Sequence, residues 1–348
     1  MQLSARFARE AILNKNGFNH LQIELIPPTL KQVSERKPVL IVLALDKSES
    51  MSEMTTGPEA NRPKKCKFIS KMNVAINASI KLLNLLTEND LLGIVSFDES
   101  AAVNQPLTNI SLSTIQSVIA NIRNIHPRGG TNISEALLTA RNLITSEHLE
   151  KYTCKIILLS DGEPNTGILL ANELSSIASD YMQAGITVSS LGLELKNDSS
   201  IMCGIAQSGG GLFYPLEDLS MLEEILKQEL NLTAITKAKN VKLLLEIPSL
   251  IEIGQNLNSY PQKLKNGQIE ILIGDIFSTR KVLLEIRNDF VNDNVIFLIS
   301  TKFESLAGTN STVKTIVPLK VVASEQELNY AKLNRDIASL VMPSIMFL

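Results

Sequence analysis

Val39-Leu40-Ile41-Val42-Leu43-Ala44-Leu45-Asp46-Lys47-Ser48-Glu49-Ser50 is the stretch on which the fold turns. Seven apolar residues run without a break and stop at Asp46. A strand wetted on one face alternates apolar with polar residues. A continuous run this short fits a strand buried on both faces, as in a parallel sheet covered by helices. The polar loop that follows places a carboxylate and two hydroxyls at the strand's carboxyl end.

Similar runs recur downstream: Leu91–Phe97, Lys155–Ser160 and Ile186–Leu191, with a last short strand at Leu212–Tyr214. Helical spacing separates them. Ile69, Met72, Ile76 and Ile80 mark a helix over about 67–87, and further helices are expected at 112–124, 133–147, 171–184, 199–207 and 217–233. Asn132, with Glu135 three residues on, reads as an N-cap, and Gly185 as a C-terminal stop. Ala102–Leu107 reads as a short edge strand stopped by Pro106. Strands alternating with helices give an α/β, doubly wound, mostly parallel sheet over 37–235.

Beyond residue 238 the period changes. The segments 241–247, 268–276, 280–287, 294–302 and 312–322 are strand-like, with turn-prone links such as Asn266-Gly267 and no helix between them. They predict a second, smaller all-β sandwich over 236–324. The tail, 325–348, reads as helical, with Leu328, Ala331, Leu333 and Ile337. Residues 1–17 are polar and mixed, compatible with a short helix. His20–Ile26 alternates as a strand exposed on one face. It has no partner in the 1–36 segment, so it is a candidate to complete the sandwich across the intervening domain.

Composition bounds the function. The 33 basic and 36 acidic residues leave a net charge of −3, and there is no Trp. Neither a basic footprint nor a stacking surface for nucleic acid is present. No apolar run reaches the ~18 residues of a membrane span. The first ten residues lack the apolar core of a secretory signal. Cys66, Cys154 and Cys203 form no C-x-x-C pair, so a disulfide framework and a structural zinc site are disfavoured and a reducing, cytoplasmic setting is the default.

In an open α/β sheet, ligands bind beyond the carboxyl ends of the strands. Asp46, Ser48 and Ser50 lie there, as does Asp161 after the 155–160 strand, and Thr131 follows Gly129-Gly130 ahead of a helix. Two carboxylates and three hydroxyls, with no His or Cys, suit a hard divalent cation: Mg²⁺, Mn²⁺ or Ca²⁺. No G-x-S-x-G elbow or phosphate-binding P-loop occurs, and Gly209-Gly210-Gly211 precedes a strand rather than a helix. His20, His126 and His148 are scattered.

These residues resemble the von Willebrand factor type A domain and its metal ion-dependent adhesion site, whose signature is D-x-S-x-S, then a Thr, then an Asp at the end of a later strand. LALDKSESM, the GGTN loop, LLSDGEPNTG and GGGLFYPLEDL look like bacterial-type members related to calcium-activated chloride channel and inter-alpha-trypsin inhibitor proteins. The resemblance covers about residues 20–325, and implies a β-sandwich after the A domain that an N-terminal strand joins. It also implies that Ser48, Ser50 and Thr131 hold the metal directly or through water. Asp46 and Asp161 would ligate it or hold its waters, and a partner protein's Glu or Asp would take an open position. The expected function is therefore metal-dependent protein binding without catalysis. The alternatives are a metal-dependent phosphoryl-transfer or hydrolytic enzyme using Asp46, and a metal-independent scaffold. Two departures stand out: Glu49 occupies a position where many relatives carry Gly, and the 52–67 loop is long and basic, with Arg62, Lys64, Lys65 and Lys67.

Overall fold

The computed structural model describes all residues except 29–37, 56–68, 194–198, 235, 259, 266, 306–308 and 346–348. Two compact units result: Gln32–Thr236, and a second built from Met1–Lys31 with Lys237–Leu348. The chain thus begins one unit, leaves it to make the other, and returns.

Three strands open the chain: β1 (Gln2–Phe7), β2 (Ala11–Leu13) and β3 (Lys15–Ile26). No helix forms in residues 1–17. Leu3, Ala5 and Phe7 turn inward while Gln2, Ser4 and Arg6 are exposed, a period of two that favours a strand.

The first complete unit follows. Its elements are β4 (Val39–Asp46), α1 (Lys71–Leu83), β5 (Leu91–Phe97), β6 (Ala101–Asn109), α2 (Ile115–Arg123), α3 (Ile133–Asn142), α4 (Ser146–Lys151) and β7 (Thr153–Ser160). Then come α5 (Ala171–Gln183), β8 (Ile186–Leu193), α6 (Ser200–Ser208), β9 (Gly210–Leu216) and α7 (Leu222–Ala234). The sheet order is β6-β5-β4-β7-β8-β9, parallel throughout except for the β5–β6 pair. Every residue of β4 is buried. Val39, Ile41, Leu43 and Leu45 pack into one core layer with α1, α2 and α7. Leu40, Val42 and Ala44 pack into the other with α3, α5 and α6. Each such leucine or isoleucine contributes about 1.5–3 kcal/mol, which is why the run carries no polar residue until its end. Edge strand β6 continues through Pro106, beside register shifts against β5; an edge position spares the missing N–H. The expected 133–147 helix is two helices, α3 and α4.

The second unit closes with β10 (Ala238–Glu246), β11 (Glu252–Asn256), β12 (Gln262–Lys265), β13 (Gln268–Ile276), β14 (Arg280–Phe290), β15 (Val295–Glu304), β16 (Asn310–Val322), α8 (Glu325–Tyr330) and α9 (Arg335–Ile345). Sheets of order β1-β3-β14-β11 and β12-β13-β10-β15-β16-β2 face each other over one apolar core. Phe7 and Phe297 meet edge-to-face across it at 5.2 Å. Strand β3 pairs with β14 from Leu25 opposite Arg280 to Lys15 opposite Phe290.

β3 is not exposed on one face: His20 and Gln22 are buried along with Leu21, Ile23 and Leu25. The tail supplies the cover. Ile337 packs on Ala8 and Leu283, and Leu283 is the register partner of Gln22. Asn334 N–H donates to the Ala8 carbonyl at 2.7 Å, and the Arg9 guanidinium to the Leu328 carbonyl at 2.7 Å.

Candidate metal centre

Strands β4, β5 and β7 end side by side, at Asp46, Phe97 and Ser160. Asp46 is fully buried. One of its oxygens accepts the Ser48 backbone N–H at 2.7 Å and the other the Ser160 hydroxyl at 2.5 Å. Ser48 and Ser50 hydroxyls lie 3.0 Å apart. The Ser50 hydroxyl donates to Asp161 Oδ1 at 2.7 Å. Asp46, Ser48, Ser50 and Asp161 therefore stand in one hydrogen-bonded series.

Thr131 is tied in through the backbone. Its N–H donates to Asn165 Oδ1 at 2.8 Å, and its carbonyl accepts the Asn165 N–H at 3.0 Å. The loop before it is stitched to the β4 exit: Arg128 N–H donates to the Lys47 carbonyl at 2.6 Å, and Glu49 N–H to the Gly129 carbonyl at 3.0 Å. Such close approach needs glycine. Gly129 has φ +70°, and a Cβ there would come within 2.7 Å of a Glu99 carboxylate oxygen; one on Gly130 would come within 2.5 Å of Asn165 Oδ1. The Thr131 side chain is buried, and among the described residues no hydrogen bond joins its hydroxyl to the other four side chains.

Two ion pairs that sequence spacing does not reveal frame the site. Lys71, the first residue of α1, is 2% exposed and donates to Asp161 Oδ2 at 2.8 Å and to Glu53 at 3.0 Å. Burial would lower this ammonium's pKa, but hydrogen bonds and charges from Asp161 and Glu53 outweigh it and hold the group above its ordinary value. On the other side, Asp98 is buried against Lys47 and receives the Arg128 Nε at 2.8 Å. Burial opposes its ionisation, yet bonds from Lys47, Ser100 and Arg128 keep its carboxyl well below the usual range. Asp98 follows the end of β5 as Asp161 follows that of β7, and that position was the available signal. A lysine at a helix start gave none.

Asp46 differs from both. Burial pushes its carboxyl up to about 6, and among the described residues no cationic side chain pairs with it. A wholly buried carboxylate without a counter-charge, next to two hydroxyl oxygens, suits a hard cation. No group of three or more His, Cys, Asp or Glu gathers for metal binding among the described residues, so any such site would depend on hydroxyl donors. Glu49 is exposed, as is His126; Cys154 is buried and Cys203 half-buried. Cys66, Arg62, Lys64, Lys65 and Lys67 lie outside the described residues.

The von Willebrand factor type A domain model matches residues 41–228. This chain belongs to that family. This chain is 30% identical over 173 residues to the uncharacterized protein YfbK of Escherichia coli, a match covering 49% of this chain and 30% of that protein. It is 27% identical over 218 residues to calcium-activated chloride channel regulator 1 of Bos taurus, covering 61% of this chain and 22% of that protein. The chain thus spans less than a third of the length of these relatives. Among solved structures, a von Willebrand factor type A protein from Catenulispora acidiphila superposes over 97% of this chain and 77% of its own, with a TM-score of 0.75 at 14% identity. The ArnB paralog VWA2 from Sulfolobus acidocaldarius superposes over 98% and 80%, with a TM-score of 0.64 at 16% identity. Both likenesses extend through the β unit, so the A domain and its companion sandwich share a known architecture.

Proposed function

We propose that this chain is a divalent-cation-dependent protein-binding module without catalysis of its own. The observation that carries the reading is the series Asp46–Ser48–Ser50–Asp161, assembled at the carboxyl ends of the β4 and β7 strands. Ser48, Ser50 and Thr131 would hold Mg²⁺, Mn²⁺ or Ca²⁺ directly or through water, with Asp46 and Asp161 as the anionic residues. When bound, the ion supplies a Lewis-acidic position for one outside carboxylate, from a partner's Glu or Asp. The chain's own residues do the rest: Asp46 fixes the loop through the Ser48 N–H, and Asp161 accepts the hydrogen bond of the Ser50 hydroxyl, which orients that oxygen. Complete burial of Asp46, with each oxygen hydrogen-bonded, supports this reading over phosphoryl transfer by Asp46, which needs an accessible nucleophile.

Mn²⁺ titration followed by electron paramagnetic resonance tests the claim. The wild type is expected to bind one ion, and EDTA to remove it. Metal at 100 times its dissociation constant should raise unfolding stability by about 2.7 kcal/mol. Thr131→Ala should lose most Mn²⁺ binding while melting in EDTA as the wild type does, because the loop is held by backbone bonds rather than by that hydroxyl. A collapse of its melting temperature in EDTA would make Thr131 structural. Capture of a partner that survives both EDTA and Asp161→Ala would favour a metal-independent scaffold.

A further inference from the structure

Lys71 is an awkward residue in its place. It is the first residue of α1, where the helix's positive end disfavours a cation, and it is 2% exposed, so its ammonium has given up water. A serine or acidic residue there would suit the helix better. What holds Lys71 is Asp161 Oδ2 at 2.8 Å, an oxygen with almost no solvent exposure, and Glu53 at 3.0 Å, which is about half exposed. Asp161 Oδ1 is occupied by the Ser50 hydroxyl. Both oxygens of one of the two site carboxylates are therefore engaged within the protein, one by a full positive charge. Asp46 has only hydroxyl and amide donors.

From this asymmetry we infer that Lys71 is a charge-setting residue: water screens its exposed partner Glu53, so it chiefly offsets the buried Asp161, and a dication at the site meets one uncompensated carboxylate rather than two. The inference rests on the metal-binding reading above. Its consequence is a trade. The cation is held more weakly than two free carboxylates would hold it, and it keeps an excess positive charge directed at an incoming anion. Asp161 acts as a positioning residue for the Ser50 hydroxyl, and Lys71 locks it in that role.

The test measures Mn²⁺ affinity of the full chain by electron paramagnetic resonance, in wild type, Lys71→Arg, Lys71→Met and Lys71→Gln, with the EDTA melting curve of each as the fold control. Lys71→Met removes the charge at similar volume, and Lys71→Gln keeps a hydrogen-bond donor, so a folded variant is available if the first fails. Either neutral variant should bind Mn²⁺ at least about tenfold more tightly than wild type and melt lower in EDTA, where Asp161 is left buried and unpaired. Lys71→Arg should stay within about threefold of wild type. Unchanged or weaker Mn²⁺ binding by a folded neutral variant, beside a wild type that binds, overturns the role of Lys71 alone. Absence of Mn²⁺ binding from the wild type and every variant overturns the metal-binding reading, and this inference with it.

Discussion

Asp98→Ala should cost the A domain about 3–5 kcal/mol, because it strands a buried lysine. Lys47 is 7% exposed and its ammonium is paired with Asp98. The Arg128 side chain is 74% exposed, so its share of the network is small. With no tryptophan in the chain, far-ultraviolet circular dichroism in urea is the suitable measurement. The pH dependence has a definite sign. The folded Asp98 carboxyl titrates below the 3.8 of an unfolded chain, so its stabilisation is complete above about pH 5 and disappears as pH falls through the folded value. Acidification should therefore shrink the gap between wild type and variant. A gap that stays constant down to the point of acid unfolding would mean that the pair contributes little. The same substitution should weaken Mn²⁺ binding indirectly. The Asp98 carbonyl accepts the Asn132 N–H at 2.8 Å, and the Phe97 carbonyl accepts that of Lys47 at 2.9 Å. The loops carrying Thr131 and Ser48 are both referenced to this corner.

Asp46→Asn should act in opposite directions on stability and on metal binding. Mn²⁺ affinity should fall at least about a hundredfold, since the one uncompensated anion is gone, a loss on the order of 3 kcal/mol. In EDTA at pH 7 the variant should be more stable than wild type by about 1–3 kcal/mol. Burial holds the Asp46 carboxyl near 6, roughly two units above its unfolded value, and each unit is worth about 1.4 kcal/mol of cost to the ionised folded form. Asparagine keeps an oxygen to accept the Ser48 N–H and carries no charge. A variant less stable than wild type in EDTA would show that the Asp46 charge is already compensated without metal.

The parts of the molecule that could be read in advance share one property: their cause is local. Strands β4, β5, β7 and β8 announce themselves because burial on both faces removes polar residues from a short run. Asp46, Ser48 and Ser50 are close in space because they are close in sequence, and the Asn132 cap on the Glu135 N–H is set within three residues. Features set by distant partners were not readable. Lys71 meets Asp161 across ninety positions, and the sequence offers only a lysine on a helix. β3 looked half exposed because its alternation is real; the residue that covers Leu283 on its outer side, Ile337, lies at the far end of the chain. β11 and β12 are short strands whose identity comes from pairing with β14 and β13.

The order in which the chain is written carries a cost at synthesis. β14, against which ten residues of β3 register, is translated about 260 residues after β3, an interval of roughly 13–50 s. During that interval Leu21, Ile23 and Leu25 have only β1 as an adjacent strand in their sheet, while the A domain can reach its native state from contacts already made. The nascent hairpin thus exposes a sticky, half-built edge throughout that interval. A message truncated before Arg280, where β14 begins, should yield a protected A domain trailing an aggregation-prone N-terminal arm.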